Sequence, residues 1–375
     1  MKVWIESCFD NLPFEGFRKQ RFWLMAEAFR AAGHEVTYWT ADFNHGTKRH
    51  RALDVTAAKA SGIDLRLVYA PPYPRNVCIR RIFSHRRYVR NWRKLALAEA
   101  ERPDVIIASM PTIGSAETAI ALARHFGARA VVDVMDAWPE TFERLLPRGC
   151  KWLGAVLLAG MRRRARRVYR EADLITGVCE RYRELTGRSD YLLAYHGIEA
   201  IDAKRAERPV HSPLRLVYAG NLGSGYDLAP VVRAVNANDD LTLDIAGKGP
   251  REAELRAMAE GRVKFHGYLG AEELSRLVGE ADIGVIPMRD DSWVGLPYKL
   301  GDYVKANLRI ISSLNGETGE MLRRHQCGAT YEGGDDASCL KAIRRAAAMR
   351  GAAGMLAELD AANIYREYVR RVLAK

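Results

Sequence analysis

The sequence predicts an α/β chain of two tandem units, each a parallel sheet covered by helices on both faces. Three observations carry this. Short apolar runs of strand character alternate with helical patterns along nearly the whole chain, the order expected of a parallel sheet. The alternation breaks once, at residues 199–213, where EAIDAKRAERPVHSP is polar, contains two prolines and lacks apolar periodicity. The length, 375 residues, exceeds one ordinary core and suits two domains.

In chain order, Lys2–Glu6 is a short apolar strand. The spacing of Phe22, Met25, Ala26 and Phe29 predicts a helix over Phe17–Ala32, stopped by Gly33, with His34–Thr40 as the next strand. Asp64–Ala70, Asp104–Ser109, Arg129–Asp136, Asp173–Val178 and Tyr191–His196 continue the series. The first domain is therefore 1–200 and the linker 201–213. The second domain, 214–354, has strands at Leu214–Gly220, Thr242–Gly247, Val263–Tyr268, Ile283–Met288 and Arg309–Ser313. Its helices begin near Asp227, Pro250, Ala271 and Leu296, and a helical pattern over Met355–Ala374 ends the chain. Ligands of such sheets bind beyond the carboxyl ends of the strands, so residues just after strands are the candidates for function. With two such domains, the expected site is the cleft between them.

No run of 18 apolar residues occurs, which argues against a spanning helix. The N-terminus, MKVWIESCFD, enters a strand without a signal-peptide pattern, so a cytoplasmic location is expected. The six cysteines (Cys8, Cys78, Cys150, Cys179, Cys327, Cys339) are scattered, with neither C-x-x-C nor zinc spacing, and read as free thiols. The net charge of +12 calls for an anionic partner: nucleic acid, anionic lipid or a phosphorylated substrate.

That charge is concentrated in RNVCIRRIFSHRRYVRNWRK (75–94) and KWLGAVLLAGMRRRARRVYR (151–170). Basic amphipathic helices of this kind suit an anionic membrane surface. The competing reading is a solvated face with snorkelling arginines. No helix-turn-helix, zinc or single-strand-binding signature supports nucleic acid.

Three motifs carry chemistry. In LVYAGNLGSGYDL a strand runs into Gly220, Gly223 and Gly225 before a helix. Such glycines let backbone N–H groups approach a diphosphate; the alternative is a tight strand-to-helix turn. In DIAGKGPREAEL a strand enters Gly247 and Gly249, and Lys248 either touches phosphate or faces solvent. In Ala281–Ser313 a buried strand leads to Asp290, Asp291 and Trp293, then to a helix carrying Lys299 and Asp302. These last two share a face near the helix start, as a phosphate-and-ribose clamp or an ordinary surface ion pair.

These segments resemble the C-terminal domain of glycosyltransferases with the GT-B fold, most closely family 4, whose members use UDP- or GDP-sugars. The resemblance rests on Gly247–Pro250, VKFHGYLGAEEL (263–274) and GLPYKLGDYVKANLRIISS (295–313). RFWLMAEAFRAAGHEVTYWTA (21–41), AVVDVMDAWPET (130–141) and LLAYHGIEA (192–200) extend it to the N-terminal half, the second of these being similar to bacterial polysaccharide-assembly members. The resemblance implies two Rossmann-like domains closing over a donor. The first would bind the acceptor, and residues 355–375 would form a helix packing back on it.

Two family features are absent. Of two acidic residues eight apart, Asp302 matches the second, while the first falls at Val294. Asp290, Asp291 or the backbone amides of Trp293–Gly295 are the alternatives for holding the sugar. An Arg after the glycine-rich strand and a Lys five residues later are replaced by Asn221 and Tyr226.

The resemblance thus implies a metal-independent, hexosyltransferase-like enzyme needing no cofactor. Donor binding is assigned to Gly220, Asn221, Gly223, Gly225, Lys248, Asp291, Lys299 and Asp302, with Lys299 stabilising the leaving diphosphate. On the acceptor side, Asp136 closes a strand and reads either as a general base or as a turn aspartate, with Gly16 and Trp138 beside it in role. The expected partners are a nucleotide-sugar, with UDP favoured over GDP, a glycan or polyprenyl-phosphate-linked acceptor, and the inner face of an anionic membrane, in cell-surface polysaccharide assembly. A sugar-nucleotide epimerase of the same fold and a basic nucleic-acid-binding protein are the alternatives. A Rossmann oxidoreductase is disfavoured, because ESCFDNLPFEG after the first strand lacks G-x-G-x-x-G.

Overall fold

A computed structural model describes residues 1–374 apart from 53–54, 146–150, 200–206, 208 and 290–291. Positions 201–206 and 208 of the expected linker lie outside the described residues. The chain forms two compact units, Met1–Gly197 with Ala362–Lys375, and Ile198–Ala361.

The first unit contains β1 (Lys2–Glu6), β2 (Glu35–Ala41), β3 (Phe43–Asn44), β4 (Arg49–His50), β5 (Asp64–Val68), β6 (Val105–Met110), β7 (Arg129–Val134), β8 (Leu174–Gly177) and β9 (Leu192–Leu193). Its main sheet runs β5-β2-β1-β6-β7-β8-β9, and its neighbouring strands are parallel. All six residues of β6 are buried, as a central parallel strand covered on both faces requires. The β3–β4 hairpin, too short to leave a pattern, was not expected.

The first helix runs over Arg21–Ala31 rather than from Phe17. Gln20 is held extended, with its Oε1 accepting from the Asn11 N–H at 2.8 Å. Arg21, at the helix start, is buried against Asp133 of β7: Nε–Oδ1 is 2.9 Å and Nη2–Oδ2 is 2.8 Å. Its Nη1 donates to the carbonyls of Ala194 at 2.6 Å and Tyr195 at 2.8 Å. Those carbonyls are thereby withdrawn from the sheet, so the strand expected over Tyr191–His196 pairs only at Leu192–Leu193.

Replacing Arg21 with Met strands a buried carboxylate and is expected to cost on the order of 3 kcal/mol in urea unfolding. The double change Arg21→Met, Asp133→Leu should recover most of it. An unchanged midpoint for the single variant would remove this pair from the fold's support.

The chain end is not one helix over Met355–Ala374. A 3-10 turn (Ala352–Met355) and a short helix (Leu356–Leu359) precede the helix Ala361–Leu373. Asp360 is extended, because the Ile198 N–H donates to the Leu359 carbonyl at 2.8 Å and the Ala361 N–H to the Ile198 carbonyl at 2.9 Å. This bridge takes up the carbonyl a continuous helix would use. The last helix belongs to the first unit, where the Tyr365 ring lies 5.8 Å from the Arg21 guanidinium.

The second unit contains β10 (Leu214–Ala219), β11 (Leu241–Ala246), β12 (Val263–Gly267), β13 (Ile283–Ile286), β14 (Arg309–Ser312) and β15 (Gly328–Thr330), in the order β12-β11-β10-β13-β14-β15. Its neighbouring strands are parallel. The unexpected β15 is three residues long, and its Gly328 is dictated by packing: a Cβ there would lie 2.0 Å from the Ile310 carbonyl oxygen. Both sheets are Rossmann-like, and their strand order reverses between β1 and β6 and between β10 and β13. Those reversals open crevices at the carboxyl edge of each sheet.

Candidate active site

In the second unit the crevice is built from the loops after β10, β11 and β13. The β10 loop locks against the β11 loop. Gly220 N–H donates to the Ala246 carbonyl at 2.9 Å, and Leu222 N–H to that of Lys248 at 3.0 Å. Gly247 is obligatory here, since a Cβ would fall 1.8 Å from the Gly220 oxygen, and its φ is +139°. On the other side Tyr226 bridges Met288, and the Asp227 N–H donates to the Pro287 carbonyl at 2.7 Å.

The Gly220–Tyr226 loop is thus clamped at both ends. Its middle differs: among the described residues, no chain acceptor takes the amides of Gly223, Ser224 and Gly225. A Cβ at Gly225 would meet nothing within 4 Å, so no packing requires glycine there. The missing side chain leaves the backbone open to an incoming group. The following helix starts at Ala229, two residues after the expected Asp227.

Lys299 lies in the first turn of the helix Tyr298–Lys305 and is buried. Its Nζ sits 4.0 Å from the centre of the Tyr218 ring and 4.1 Å from that of Tyr226, with no hydrogen-bond partner among the described residues. A Cβ on Gly220 would come within 3.1 Å of it. Burial pushes the ammonium down to about 7, while Asp302, one turn on, favours the charged form. Two ring faces also favour the cation. This is not an exposed surface ion pair; it is a desolvated amine at the loop, without a hydrogen-bonding acceptor among the described residues. The helix is pinned by Tyr303, whose hydroxyl donates to the carbonyls of Val217 and Val285 at 3.4 and 3.2 Å.

The remaining donor-side candidates are less convergent. Asp302 is half-buried on the Lys299 helix. Asn221 is exposed, and its carbonyl accepts from the Tyr218 hydroxyl at 2.7 Å. The Lys248 side chain is exposed and runs toward the Gly267 turn, so that its carbonyl, not its ammonium, meets the β10 loop. Val294 N–H already donates to Ser292 Oγ at 3.2 Å, which weakens the alternative of a sugar held by that amide. Asp290 and Asp291 lie outside the described residues. Tyr218 reads in the sequence as an ordinary strand residue, and Tyr226 stands out there only as the replacement for the family's Lys.

In the first unit, Asp136 and Trp138 follow β7. The Trp138 indole N–H donates to Asp136 Oδ2 at 3.2 Å, and the Trp138 N–H to the Asp136 carbonyl at 2.8 Å. Gly16, in the loop after β1, is exposed and left-handed, with φ +77°, and ends the short 3-10 turn Pro13–Glu15. A further group escaped notice in the sequence: Arg81 lies 5.5 Å from the Trp138 ring and 5.2 Å from that of Phe9. Among the described residues no cluster of three His, Cys, Asp or Glu is placed to hold a metal, and no helix is long and apolar enough to cross a membrane.

Comparison with known proteins bears on both units. The family model described as glycosyl transferase 4-like domain matches residues 19–191, and that described as glycosyl transferases group 1 matches 213–348. Together they take in most of the chain. No curated protein matches the sequence.

Among solved structures, HepE of Anabaena in complex with UDP and glucose is 12% identical, with a TM-score of 0.65 over 99% of this chain and 98% of that one. The lipopolysaccharide outer core galactosyltransferase WaaB is 14% identical, with a TM-score of 0.61 over 99% and 95%. Sucrose-phosphate synthase from Thermosynechococcus elongatus is 14% identical, with a TM-score of 0.62 over 99% and 94%. These likenesses show the GT-B fold.

Proposed function

We propose, given that this chain belongs to the group 1 glycosyl transferases of GT-B fold, that it moves a sugar from a UDP-sugar to a glycan or lipid-linked acceptor in cell-surface polysaccharide assembly. The observation that carries the donor reading is Lys299, a buried ammonium beside Gly220 without a hydrogen-bond partner among the described residues. The preference for UDP draws on HepE, which was solved with UDP and with UDP-glucose. GDP-sugars are the second choice.

Transfer breaks the bond between the anomeric carbon and the diphosphate oxygen, and the electron pair leaves with the nucleotide. Lys299 and the amides of Gly223–Gly225 take up that charge, so no metal or other cofactor is invoked. Gly220 keeps the loop close to Lys299, Asp302 holds the ribose, and Asn221, Lys248 and Asp291 are secondary donor contacts. Asp136 accepts the acceptor's hydroxyl proton, with Trp138 and Gly16 shaping the acceptor side. The arginine-rich helices of the first unit hold the enzyme at the inner face of an anionic membrane.

A thermal-shift series with UDP- and GDP-sugars between pH 6 and 8.5 tests the donor reading. UDP-glucose carries a diphosphate that does not ionise in this window. Below pH 7 Lys299 is already charged; above it, binding must take up a proton. The affinity for UDP-glucose should therefore fall about tenfold per pH unit above 7. No shift with any nucleotide-sugar would sink the reading. Free UDP released only with an acceptor present separates a transferase from an epimerase.

A further inference from the structure

The loop after β10 brings no basic side chain of its own, since residues 220–227 read GNLGSGYD. Arg251 and Arg289 flank it through their backbones, the first donating to the Leu222 carbonyl at 3.0 Å and the second to that of Gly225 at 3.1 Å. A guanidinium keeps its charge at any working pH. Lys299 is different: it is a buried amine, so its charge depends on what surrounds it.

Burial opposes that charge, and Asp302 on the same helix favours it. The other elements packed on the amine bring aromatic rings. β10 supplies Tyr218 and the loop supplies Tyr226, with Nζ 4.0 and 4.1 Å from the ring centres. Burial pushes both phenols up, so they stay neutral near pH 7 and act through their ring faces. The rings lie 6.0 Å apart at 67°, forming a corner about the nitrogen rather than a sandwich. On the side of Gly220 a Cβ would come within 3.1 Å of Nζ, so the missing side chain leaves the nitrogen open toward the loop.

Both rings are held in place. Tyr218 is buried, and its hydroxyl donates to the Asn221 carbonyl at 2.7 Å. Tyr226 is fixed through its backbone. Its N–H donates to the Gly223 carbonyl at 3.2 Å, and its carbonyl accepts from Arg251 Nη1 at 2.6 Å. A carboxylate in place of either ring would also favour the charged amine, but it would occupy its N–H groups and compete with a diphosphate. An aromatic face attracts the cation and leaves its three donors for a ligand.

We infer that Tyr226, with Tyr218 beside it, is a positioning residue that acts through Lys299. The ring faces keep the ammonium charged and turned to the loop, and so set the upper pH limit of donor binding. That the ligand is a nucleotide diphosphate rests on the donor reading above; the hold of the rings on the amine does not.

The test compares Tyr226→Phe, which keeps the ring face, with Tyr226→Leu, which removes it at a half-buried position. UDP-glucose affinity is measured by equilibrium binding at pH 5.5 and pH 8. One desolvated ring face is worth roughly tenfold in the protonation equilibrium, or about one pH unit. Tyr226→Leu should match the parent at pH 5.5, where both carry a charged Lys299, and bind about tenfold more weakly at pH 8. Tyr226→Phe should match the parent at both. A merely structural lesion would weaken binding at both pH values alike.

The amine itself is followed without nucleotide, by NMR of lysine labelled at the ε-carbon, its signal identified by its loss in Lys299→Met. Its midpoint should fall by about one pH unit in Tyr226→Leu and stay in place in Tyr226→Phe. A midpoint unmoved or raised in Tyr226→Leu, equal loss of binding at both pH values, or a Phe variant that behaves as Leu does overturns the inference. A midpoint that moves as expected, while UDP-glucose affinity in the parent ignores pH, would fault the donor reading and leave the hold of the rings on Lys299 standing.

Discussion

Lys299→Met is expected to lower sugar transfer by about 10²–10³-fold, the usual loss when one charge-stabilising donor is removed from a leaving group. Methionine fills nearly the same volume between the Tyr218 and Tyr226 rings and removes a desolvated charge, so the fold should hold or gain stability. The defect should appear in two readouts: the UDP-glucose thermal shift shrinks, and its dependence on pH around 7 disappears. Lys299→Arg should not restore activity. The guanidinium is a planar fork where the ammonium is compact, and a Cβ on Gly220 would already lie within 3.1 Å of the present nitrogen. Turnover by Lys299→Met within threefold of the parent would remove Lys299 from the leaving-group role.

Asp136→Asn should reduce turnover by about 10²–10⁴-fold, the range of a general base, while the UDP-glucose shift stays unchanged. The pair of variants at this position separates two roles. Asn keeps an oxygen that can accept from the Trp138 indole N–H, now at 3.2 Å from Asp136 Oδ2, whereas Ala removes that contact as well. If the carboxylate only orients Trp138, Asn should work and Ala should fail. If it takes the acceptor's proton, both fail alike. The anomeric configuration of the product adds a second check, because a base acting opposite the leaving group gives inversion. A parent enzyme that retains configuration would argue against the base role, whatever the variants do.

Much of the fold was legible because parallel sheets leave local traces. Buried strands such as VIIASM at 105–110 read as continuous apolar runs, and Gly33 marks a helix end. The errors came where a distant group changed a local preference. Tyr191–His196 has strand character, yet Arg21 takes two of its carbonyls. Met355–Ala374 has helical periodicity, yet Ile198 claims the backbone around Asp360. In both, the competing hydrogen bond comes from far away in sequence, which no window along the chain can register.

The candidate site divides in the same way. Gly247 and Gly249 were legible because the turn after β11 demands them: a Cβ at Gly247 would collide with the Gly220 carbonyl and one at Gly249 with that of Leu222. Lys299 and Asp302 were legible as neighbours on one helix face. Arg81 was not, since one arginine among six on a helix carries no mark of its own.

By itself, then, the sequence determined the alternation of the main strands and helices, the tandem α/β organisation and the positions of the glycine-rich turns, all set by local periodicity and backbone sterics. Only the tertiary structure decided that Lys299 is buried between Tyr218 and Tyr226 rather than exposed on a surface, and that Arg81 lies against the Trp138 and Phe9 rings. Desolvation and charge pairing depend on which distant groups surround a side chain, and packing brings those groups together.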